Sequence, residues 1–497
     1  MNIDNIIMKI NDLFKNIPNI QKQTSTLISR TSHVSMIDVF RFLLKYSQKY
    51  ITKSSIVSDF NFDDNIEITQ SSLHSKEKHI TVECCKQISS QLYNILNDLY
   101  TKYPIMKIIE KKINSSHISI NDINIDTHVF IGIDATCSNK YKNHELITDN
   151  VLYFFDLNKK IPINFTNTSQ PYFQNNKNNK SNKNHEVKTL IFYLQKHHNE
   201  LKNMFKGKVI VLVCDRAYHS IELFELCEKY KIKYVIRVKD NCNIFNNKKS
   251  NNPNIIKYRN NEKIRKITTV HMCEDYVELD DKQSIKLKIP IECNLISNLE
   301  KNKIFTDKII EDIYLARWNI EIFFKNSKNT TKLSLSTTKT DESYEKQKYL
   351  NFIVAYLARI IIFMYYAEKY KNNEKNILKE INDQNVNYTN IVHGIYLKLV
   401  NILCRGELTP NIIQKFIKSY VLIIICKKDR KFKRKGMIPG TKWYLKKYSD
   451  EAATKKICAA ILNDTINNLN KNLKSLANKY INMGKKYTVN ILTIIKK

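Results

Sequence analysis

The sequence predicts an α/β fold with a β-rich insertion and with helical regions on both sides. Between residues 127 and 241, apolar runs of strand length alternate with segments of helical periodicity, a pattern typical of an α/β sheet with crossover connections. From about 243 to 300, short apolar stretches separated by polar turns predict several short strands. Before residue 125 and after residue 340, apolar side chains recur mostly at helical spacing.

The elements follow in order along the chain. In the N-terminal region, residues 32–50 place Ile37, Phe40 and Leu44 at helical spacing, and residues 81–103 predict a second helix. The α/β region predicts four strands and two helices. The strands are 127–136, 150–160, 208–218 and 233–241, the helices are 186–204 and 219–231, and an Asn- and Lys-rich tract at 174–186 reads as a solvated loop.

The composition favours a polyanionic partner, with nucleic acid ahead of an anionic membrane. The chain has 497 residues, 42% of them hydrophobic, and a formal net charge of +33. Ile, Asn and Lys are abundant throughout, as expected from an AT-rich genome, so the lysine content has a second cause. Because only 11 of the 81 Lys and Arg residues are arginines, an arginine is the more informative cation.

Several classes of protein are disfavoured. The seven glycines form no G-x-G-x-x-G loop, which argues against a nucleotide cofactor. The N-terminus lacks a signal-peptide pattern, and the eleven cysteines form no C-x-x-C pair, so we expect reduced thiols and an intracellular protein. The apolar stretch 351–367 is short for a membrane span and contains Arg359, which predicts a buried helix and no membrane partner.

Two aspartates each follow an apolar strand pattern. Asp134 ends FIGID, and Asp215 ends VIVLVCD. Carboxyl ends of strands are where ligands bind in open α/β sheets, so two such aspartates on neighbouring strands would offer oxygen ligands for Mg²⁺ or Mn²⁺. Either residue alone could equally cap the turn that follows it. The matching contexts favour a shared site.

A predicted helix from Thr306, its expected N-cap, to Lys328 supplies a third carboxylate. Tyr314, Arg317, Glu321 and Lys328 fall within a stripe about 60° wide at 100° per residue. An adjoining apolar stripe would pack this helix on the sheet: Ile309, Ile313, Ile320 and Phe324. The alternative is a surface Arg–Glu pair at i, i+4, which leaves the tyrosine and the distant lysine unexplained.

Three carboxylates and adjacent cations suit chemistry at phosphorus. Asp134, Asp215 and Glu321 could hold two divalent ions for an in-line displacement by water or a 3′-hydroxyl. Arg317 could then bind a DNA phosphate bidentately, while Lys328 adds a point charge and Tyr314 a hydroxyl donor. Lys325 and Arg216 are further candidates for DNA contact.

These residues resemble the DDE transposases of insertion sequences, and most closely the insertion-sequence-four type. The family's Tyr-x-x-Arg-x-x-x-Glu-x-x-x-x-x-x-Lys signature stands complete as Tyr314, Arg317, Glu321 and Lys328, and the contexts DAT at Asp134 and DRAYHS at Asp215 also resemble that family. The resemblance covers about 125–370.

The resemblance implies an RNase H-like catalytic core that is interrupted by the β-rich insertion. It implies cleavage of double-stranded DNA at transposon ends and strand transfer into target DNA, dependent on Mg²⁺, within a synaptic homodimer. The expected regions are a helical DNA-binding region (1–125), the first part of the core (126–242), the insertion (243–303), the second part of the core (304–370) and a basic helical C-terminal region (371–497).

One family feature is missing from its expected place. Better-known members cleave through a DNA hairpin and stack an insertion-domain Trp on a flipped base, but the two tryptophans here, Trp318 and Trp443, lie outside the insertion. Either Tyr258 or Tyr276 replaces it as the stacking platform, or the hairpin step differs. Trp318 is expected to pack rather than to contact DNA.

Other features leave alternatives open. His219 could assist proton transfer or cap the following helix, and the basic run 427–435 could follow a phosphate backbone, form a solvated turn or, in a eukaryotic host, act as a nuclear-localisation signal. The rival functions are a related metal-dependent nuclease without strand transfer, and a decayed or domesticated transposase that only binds DNA.

Overall fold

The computed structural model describes fourteen segments of the chain and divides it into two compact units. The described residues are 3–25, 34–63, 68–102, 127–142, 145–167, 185–238, 255–257, 263–278, 284–333, 335–336, 340–369, 384–421, 423–425 and 493–494. The first unit comprises Met1–Tyr234 and Asn302–Cys426, and the second comprises Val235–Lys301 and Lys427–Lys497. The mixed α/β class that the sequence predicts is confirmed.

The described N-terminal part of the first unit is helical, as predicted. Its α-helices are α1 (Ile3–Lys15), α2 (Ile17–Thr24), α3 (Met36–Tyr46), α4 (Lys53–Asp63), α5 (Gln70–Lys76) and α6 (Val82–Lys102). Helix α3 begins at a capping box in which the Ser35 hydroxyl accepts from the Asp38 amide. The two helices predicted from spacing, α3 and α6, are both present, and Phe40 and Leu44 are fully buried.

A sheet with helical crossovers follows. Its elements are β1 (His128–Lys142), β2 (Glu145–Asp156), β3 (Ile161–Asn167), α7 (His185–Met204), β4 (Val209–Cys214), α8 (Ile221–Lys229) and the beginning of β5 (Lys233–Val238). Strands β1, β2 and β3 form an antiparallel meander. Strand β4 pairs parallel with β1, as its continuously apolar sequence predicts.

Strand β1 is longer than its sequence pattern predicts. Asp134 was expected at the strand end, but β1 continues to Lys142 because its backbone remains paired with β2 as far as Glu145. Residues beyond Asp134 no longer follow an apolar pattern, so the sequence marks the end of the apolar run and not the end of the strand. The expected position of Asp134 is therefore wrong, although it does follow the last residue of β1 that pairs with β4.

The predicted helix from Thr306 to Lys328 is two helices, α9 (Asp307–Ala316) and α10 (Trp318–Thr330), which meet at Arg317. Thr306 is the N-cap, and its Oγ1 accepts from the Ile309 amide at 3.3 Å. Arg317 keeps right-handed helical angles, but its amide donates to the Tyr314 carbonyl, three residues back. This tighter turn corrects the expectation of one regular helix.

The C-terminal end of α10 is tied to the residues after α3. The Lys49 amide donates to the Thr330 carbonyl at 3.0 Å, and the Lys332 amide donates to the Ser47 carbonyl at 3.0 Å. These bonds flank a bridge between Gln48 and Thr331. The first unit thereby holds the end of α10 against its N-terminal helices.

The remaining described elements of the first unit include a long buried helix. They are β9 (Leu335–Ser336), α11 (Asp341–Lys369), β10 (Gln384–Val386), α12 (Tyr388–Gly394), a π-helical turn (Ile395–Leu399), α13 (Val400–Arg405), α14 (Pro410–Tyr420) and β11 (Ile423–Ile425). Helix α11 has the length and apolar composition of a membrane span, but 89% of its most apolar window is buried inside the protein. The Tyr356 hydroxyl on α11 donates to the Pro162 carbonyl at 2.6 Å. The predicted buried helix is therefore confirmed.

The second unit, in its described residues, is an antiparallel β-structure. Its strands are the rest of β5 with β6 (Ile255–Lys257), β7 (Lys263–Glu278), β8 (Ser284–Ser297) and β12 (Thr493–Ile494). Strand β8 pairs with β5, β7 and β12, and β6 pairs with β7. The predicted β-rich character holds, but the expected short strands are mainly one long hairpin, because polar and apolar residues alternate along β7 and β8 without breaking the pairing.

Some predictions concern residues outside those that the structure describes. These are Tyr258, Trp443, the basic run 427–435 and all of the Asn/Lys tract except its last two residues. Tyr276 lies in β7, opposite Lys286 of β8.

Candidate active site

Asp134 and Asp215 stand level with each other because of the parallel register of β1 and β4. The last paired residues of the two strands are Ile133 and Cys214, so the aspartates are the next residues on neighbouring strands. Asp134 continues along β1, whereas Asp215 leaves β4 and caps a 3-10 turn. Its Oδ1 accepts from the Ala217 amide at 2.7 Å. The capping role that was weighed against a site role is thus present at Asp215.

Arg317 joins two of the three predicted carboxylates. Its Nη1 lies 3.1 Å from Asp134 Oδ2, and its Nη2 lies 2.6 Å from Glu321 Oε1. The Arg317 side chain is only 11% exposed, against 20% for Asp134 and 33% for Glu321. The i, i+4 Arg–Glu pair is therefore real, but it is largely buried and shared with a residue from β1. A charge-assisted pair of this kind is stronger than an exposed surface pair.

Burial is the main influence on the Asp134 carboxyl. It raises the pKa of Asp134 from 3.8 to about 7, Arg317 opposes the increase, and the negative charges of Asp215 and Glu321 add to it. The three predicted carboxylates therefore act on one another electrostatically. Such a cluster of like charges requires a cation, and in this structure Arg317 supplies it.

Tyr314 lies against the guanidinium from the preceding turn. The centre of its ring is 5.8 Å from Arg317 Cζ, and its side chain is buried. Burial disfavours the charge on Arg317, but Tyr314 and the three carboxylates outweigh burial and raise the pKa of Arg317. Within the described part of the chain, Arg317 Nε is buried without a hydrogen-bond partner. Both terminal nitrogens of the guanidinium are thus engaged, and the Nε–H has no partner among the described residues.

The other predicted DNA contacts lie along α10 and in the turn after Asp215. Lys325 is exposed and Lys328 half-buried, about 6 Å and about 10 Å along α10 from Glu321 at 1.5 Å per residue. Arg216 is half-buried in the turn after Asp215. Trp318 is 49% exposed, so the packing role expected for it is wrong.

His219 stabilises the turn that carries Asp215 rather than the helix that follows. Its Nδ1 lies 2.9 Å from the Arg216 carbonyl oxygen, and because a carbonyl only accepts, this nitrogen carries the proton. The following helix α8 has Ser220 as its N-cap. A cap on α8, one of the two roles that the sequence leaves open for His219, is therefore not what this contact provides.

The donor set fits a hard divalent cation by its chemistry. Three carboxylates from separate elements offer oxygen ligands only, which is the preference of Mg²⁺ and Mn²⁺. Among the residues that the structure describes, no three His, Cys, Asp or Glu side chains lie close enough together to hold a metal ion. The present arrangement is therefore that of a site neutralised by Arg317, with Asp134, Asp215 and Glu321 as the residues that would hold a metal.

A fourth carboxylate near the site was missed by the sequence analysis. The Tyr218 hydroxyl, in the turn after Asp215, donates to Glu186 Oε2 at 3.0 Å. Burial raises the pKa of Glu186, the Tyr218 hydrogen bond opposes this, and the charge of Asp215 adds to it. An acidic residue in the first turn of a helix is common because it suits the helix dipole. The sequence position of Glu186 therefore did not indicate that it lies near a site.

One comparison with known proteins agrees with the class that these residues define. Residues 130–357 match the family model of the transposase DDE domain. The matched range includes Asp134, Asp215 and Glu321 and spans somewhat less than half of the chain. The match supports a DDE transposase, and thus DNA transposition in general.

The other two comparisons add little. No curated protein matches the chain significantly. The cryo-EM structure of a piggyBac transposase synaptic complex with hairpin DNA is similar at 12% identity and a TM-score of 0.32, over 90% of this chain and 87% of that chain.

Proposed function

We propose that the chain is a DDE transposase of the insertion-sequence-four type, which cleaves DNA at transposon ends and joins those ends to target DNA. The observation that carries the proposal is the meeting of Asp134, Arg317 and Glu321, with Asp215 on the next strand. Asp134 and Arg317 are 183 residues apart in the sequence. The match of residues 130–357 to the transposase DDE domain supports the same reaction class.

The proposed reaction is an in-line displacement at phosphorus. Water attacks the phosphodiester at the transposon end, a new P–O bond forms as the P–O3′ bond breaks, and a 3′-hydroxyl is left. That hydroxyl then attacks a target phosphodiester in the same way. Two divalent ions bound by Asp134, Asp215 and Glu321 would activate the attacking oxygen and stabilise the leaving oxygen.

Arg317 has a double role in this proposal. Without ions it neutralises Asp134 and Glu321, and its distances to both are those of hydrogen-bonded ion pairs. When the carboxylates take ions, the guanidinium becomes available to a DNA phosphate, which it can bind bidentately. Tyr314 orients it from one side. The cations proposed to contact flanking phosphates are Lys325, Lys328 and Arg216.

The wider architecture is proposed with the function. The meander β1–β3, the parallel strand β4 and the helix pair α9–α10 support an RNase H-like core. The second unit contains most of the proposed insertion, and the N-terminal helices would bind transposon ends. A synaptic homodimer would bring two ends together.

A cleavage assay tests the proposal directly. A supercoiled plasmid carrying the gene with its flanking DNA is incubated with the full chain and Mg²⁺ or Mn²⁺, and nicked and linear products are mapped. We expect ion-dependent cleavage at defined positions beside the gene. Glu321→Gln should reduce the rate by at least about 100-fold, since it removes one ion ligand while keeping the shape of the side chain.

The matched control is Glu200→Gln on α7. The Glu200 side chain is 64% exposed and pairs with His197, so this change removes one negative charge from the surface, and we expect wild-type cleavage. Cleavage by the wild type that survives Glu321→Gln would contradict the assignment. Cleavage without joining of the ends to a second plasmid would indicate the nuclease alternative.

A further inference from the structure

The turn that carries Asp215 is connected to helix α7 by a buried hydrogen bond. Tyr218 is the last residue of the 3-10 turn and is fully buried. Its hydroxyl donates to Glu186 Oε2 at 3.0 Å, and Glu186 lies in the first turn of α7. The bond joins two elements that flank β4 in the sequence.

Local hydrogen bonds shape the turn itself. Asp215 Oδ1 accepts from the Ala217 amide at 2.7 Å, and the Tyr218 amide donates to the Asp215 carbonyl at 3.2 Å. These contacts fix the turn's internal form but do not fix where it stands in the protein. The Tyr218–Glu186 bond does so, because it fastens the turn to a helix of 20 residues.

Packing alone does not require a hydrogen bond between Tyr218 and Glu186. A phenylalanine would fill the same space without a buried hydroxyl that needs a partner. A carboxylate as that partner adds a like charge close to Asp215, which is unfavourable for stability alone. The fold could avoid this bond, yet the bond is made by the turn that Asp215 caps, which indicates a role in the site.

We propose that Glu186 is a positioning residue: through the Tyr218 hydroxyl it sets the position of the turn that carries Asp215, and so the placement of the Asp215 carboxylate beside Asp134. This inference rests on the proposed function, because Asp215 must hold a divalent ion for its placement to matter. Neither Glu186 nor Tyr218 needs to touch the ion or the DNA.

Four variants of the full chain test the role: Glu186→Ala, Glu186→Gln, Tyr218→Phe and the double variant Glu186→Ala/Tyr218→Phe. The matched control is Tyr193→Phe on the same helix α7, where the buried hydroxyl accepts a 2.6 Å hydrogen bond from Asn164. Two quantities are measured for each variant. One is the increase in Tm on titration with Mn²⁺ alone, and the other is the Mn²⁺ concentration for half-maximal cleavage of the plasmid.

We expect Glu186→Ala and Tyr218→Phe each to raise both half-saturating Mn²⁺ concentrations by about 10-fold or more, the usual cost of losing a partner of a metal ligand. The double variant should be no worse than either single variant, since both remove one bond. Glu186→Gln should stay within about 3-fold of wild type, because its amide oxygen still accepts from Tyr218. Tyr193→Phe should lower Tm without changing either Mn²⁺ concentration.

Two results would overturn the inference. Glu186→Gln as harmful as Glu186→Ala would mean that the charge acts directly, and Tyr218→Phe behaving like Tyr193→Phe would mean a purely structural bond. A wild type that does not cleave, but whose Mn²⁺-dependent Tm still depends on Glu186, would count against the proposed function alone. A wild type whose Tm does not respond to Mn²⁺ would contradict both.

Discussion

At the scale of the residue, Arg317 makes two interpretations of Glu321 compatible: that it belongs to a helical i, i+4 ion pair, and that it belongs to a site shared with Asp134. Its guanidinium forms the i, i+4 pair with Glu321 that a surface helix would show, and it also reaches Asp134 on β1. Periodicity could predict the first contact, since both residues lie on one helix. It could not predict the second, because a contact across 183 residues depends on how α9 and α10 pack against the sheet.

The Asp134 carboxyl leads to a prediction about pH. Below about 3.8 it is protonated in both folded and unfolded chains, whereas between 3.8 and about 7 the unfolded chain ionises and the folded chain keeps the proton. Ionisation of Asp134 therefore lowers the free energy of unfolding as the pH rises, and the loss reaches about 4 kcal/mol once the pH is above 7. We expect Asp134→Asn to raise the Tm of the metal-free protein at pH 8 and to leave it unchanged near pH 4. Thermal unfolding in a chelating buffer measures this.

Asp98→Asn is the control for that measurement. Asp98 forms an exposed pair with Lys9, so its loss should change stability by less than about 1 kcal/mol at pH 8, and downwards. A lower Tm of Asp134→Asn at pH 8 would show that the pairing with Arg317 outweighs the burial of the carboxylate.

At the scale of the element, the sequence predicted the types of element well and their ends less well. The strand end at Asp215, the Thr306 cap and the buried α11 were found as predicted. Two errors have the same origin: β1 continues past Asp134, and the expected single helix breaks at Arg317. Tertiary contacts that the local pattern does not encode decide the backbone at both places. Pairing with β2 extends β1, and the Arg317 side chain bonds to Asp134 on β1.

Gly132 offers a test of how β1 places Asp134. A Cβ at this position would lie 2.8 Å from Leu157 Cδ2, and Leu157 is buried after β2. We expect Gly132→Val to lower the free energy of unfolding by about 1–3 kcal/mol through overpacking. Because Gly132 lies two residues before Asp134, cleavage should also fall. Urea unfolding and the plasmid assay measure the two effects.

A double-mutant cycle with Leu157→Ala supplies the control. Removing the leucine leaves space beside residue 132, so Gly132→Val should cost clearly less in the Leu157→Ala background than in the wild type. Equal costs in both backgrounds would show that the clash with Leu157 is not the cause.

At the scale of the whole molecule, the charge of +33 does not by itself locate a DNA surface. Lysine is frequent along the entire chain for reasons of composition, so exposed lysines occur far from the site as well as near it. Lys328 lies on α10 two turns beyond Glu321, whereas the exposed Lys202 lies on α7 sixteen residues beyond Glu186, about 24 Å along the helix axis. The two lysines carry the same charge, but Lys328 lies on the helix that carries Glu321 and Lys202 does not.

The salt dependence of DNA binding separates a general charge effect from a defined path. Each phosphate that the protein neutralises adds about −0.9 to the slope of log K against log salt concentration. For duplex DNA with the gene's flanking sequence, we expect a slope of about −5 or steeper, and Lys328→Ala should make it shallower by about 1. Lys202→Ala should leave both slope and affinity unchanged. Equal effects of the two changes would mean that the DNA follows no defined path past α10, and that the net charge reflects the lysine-rich composition alone.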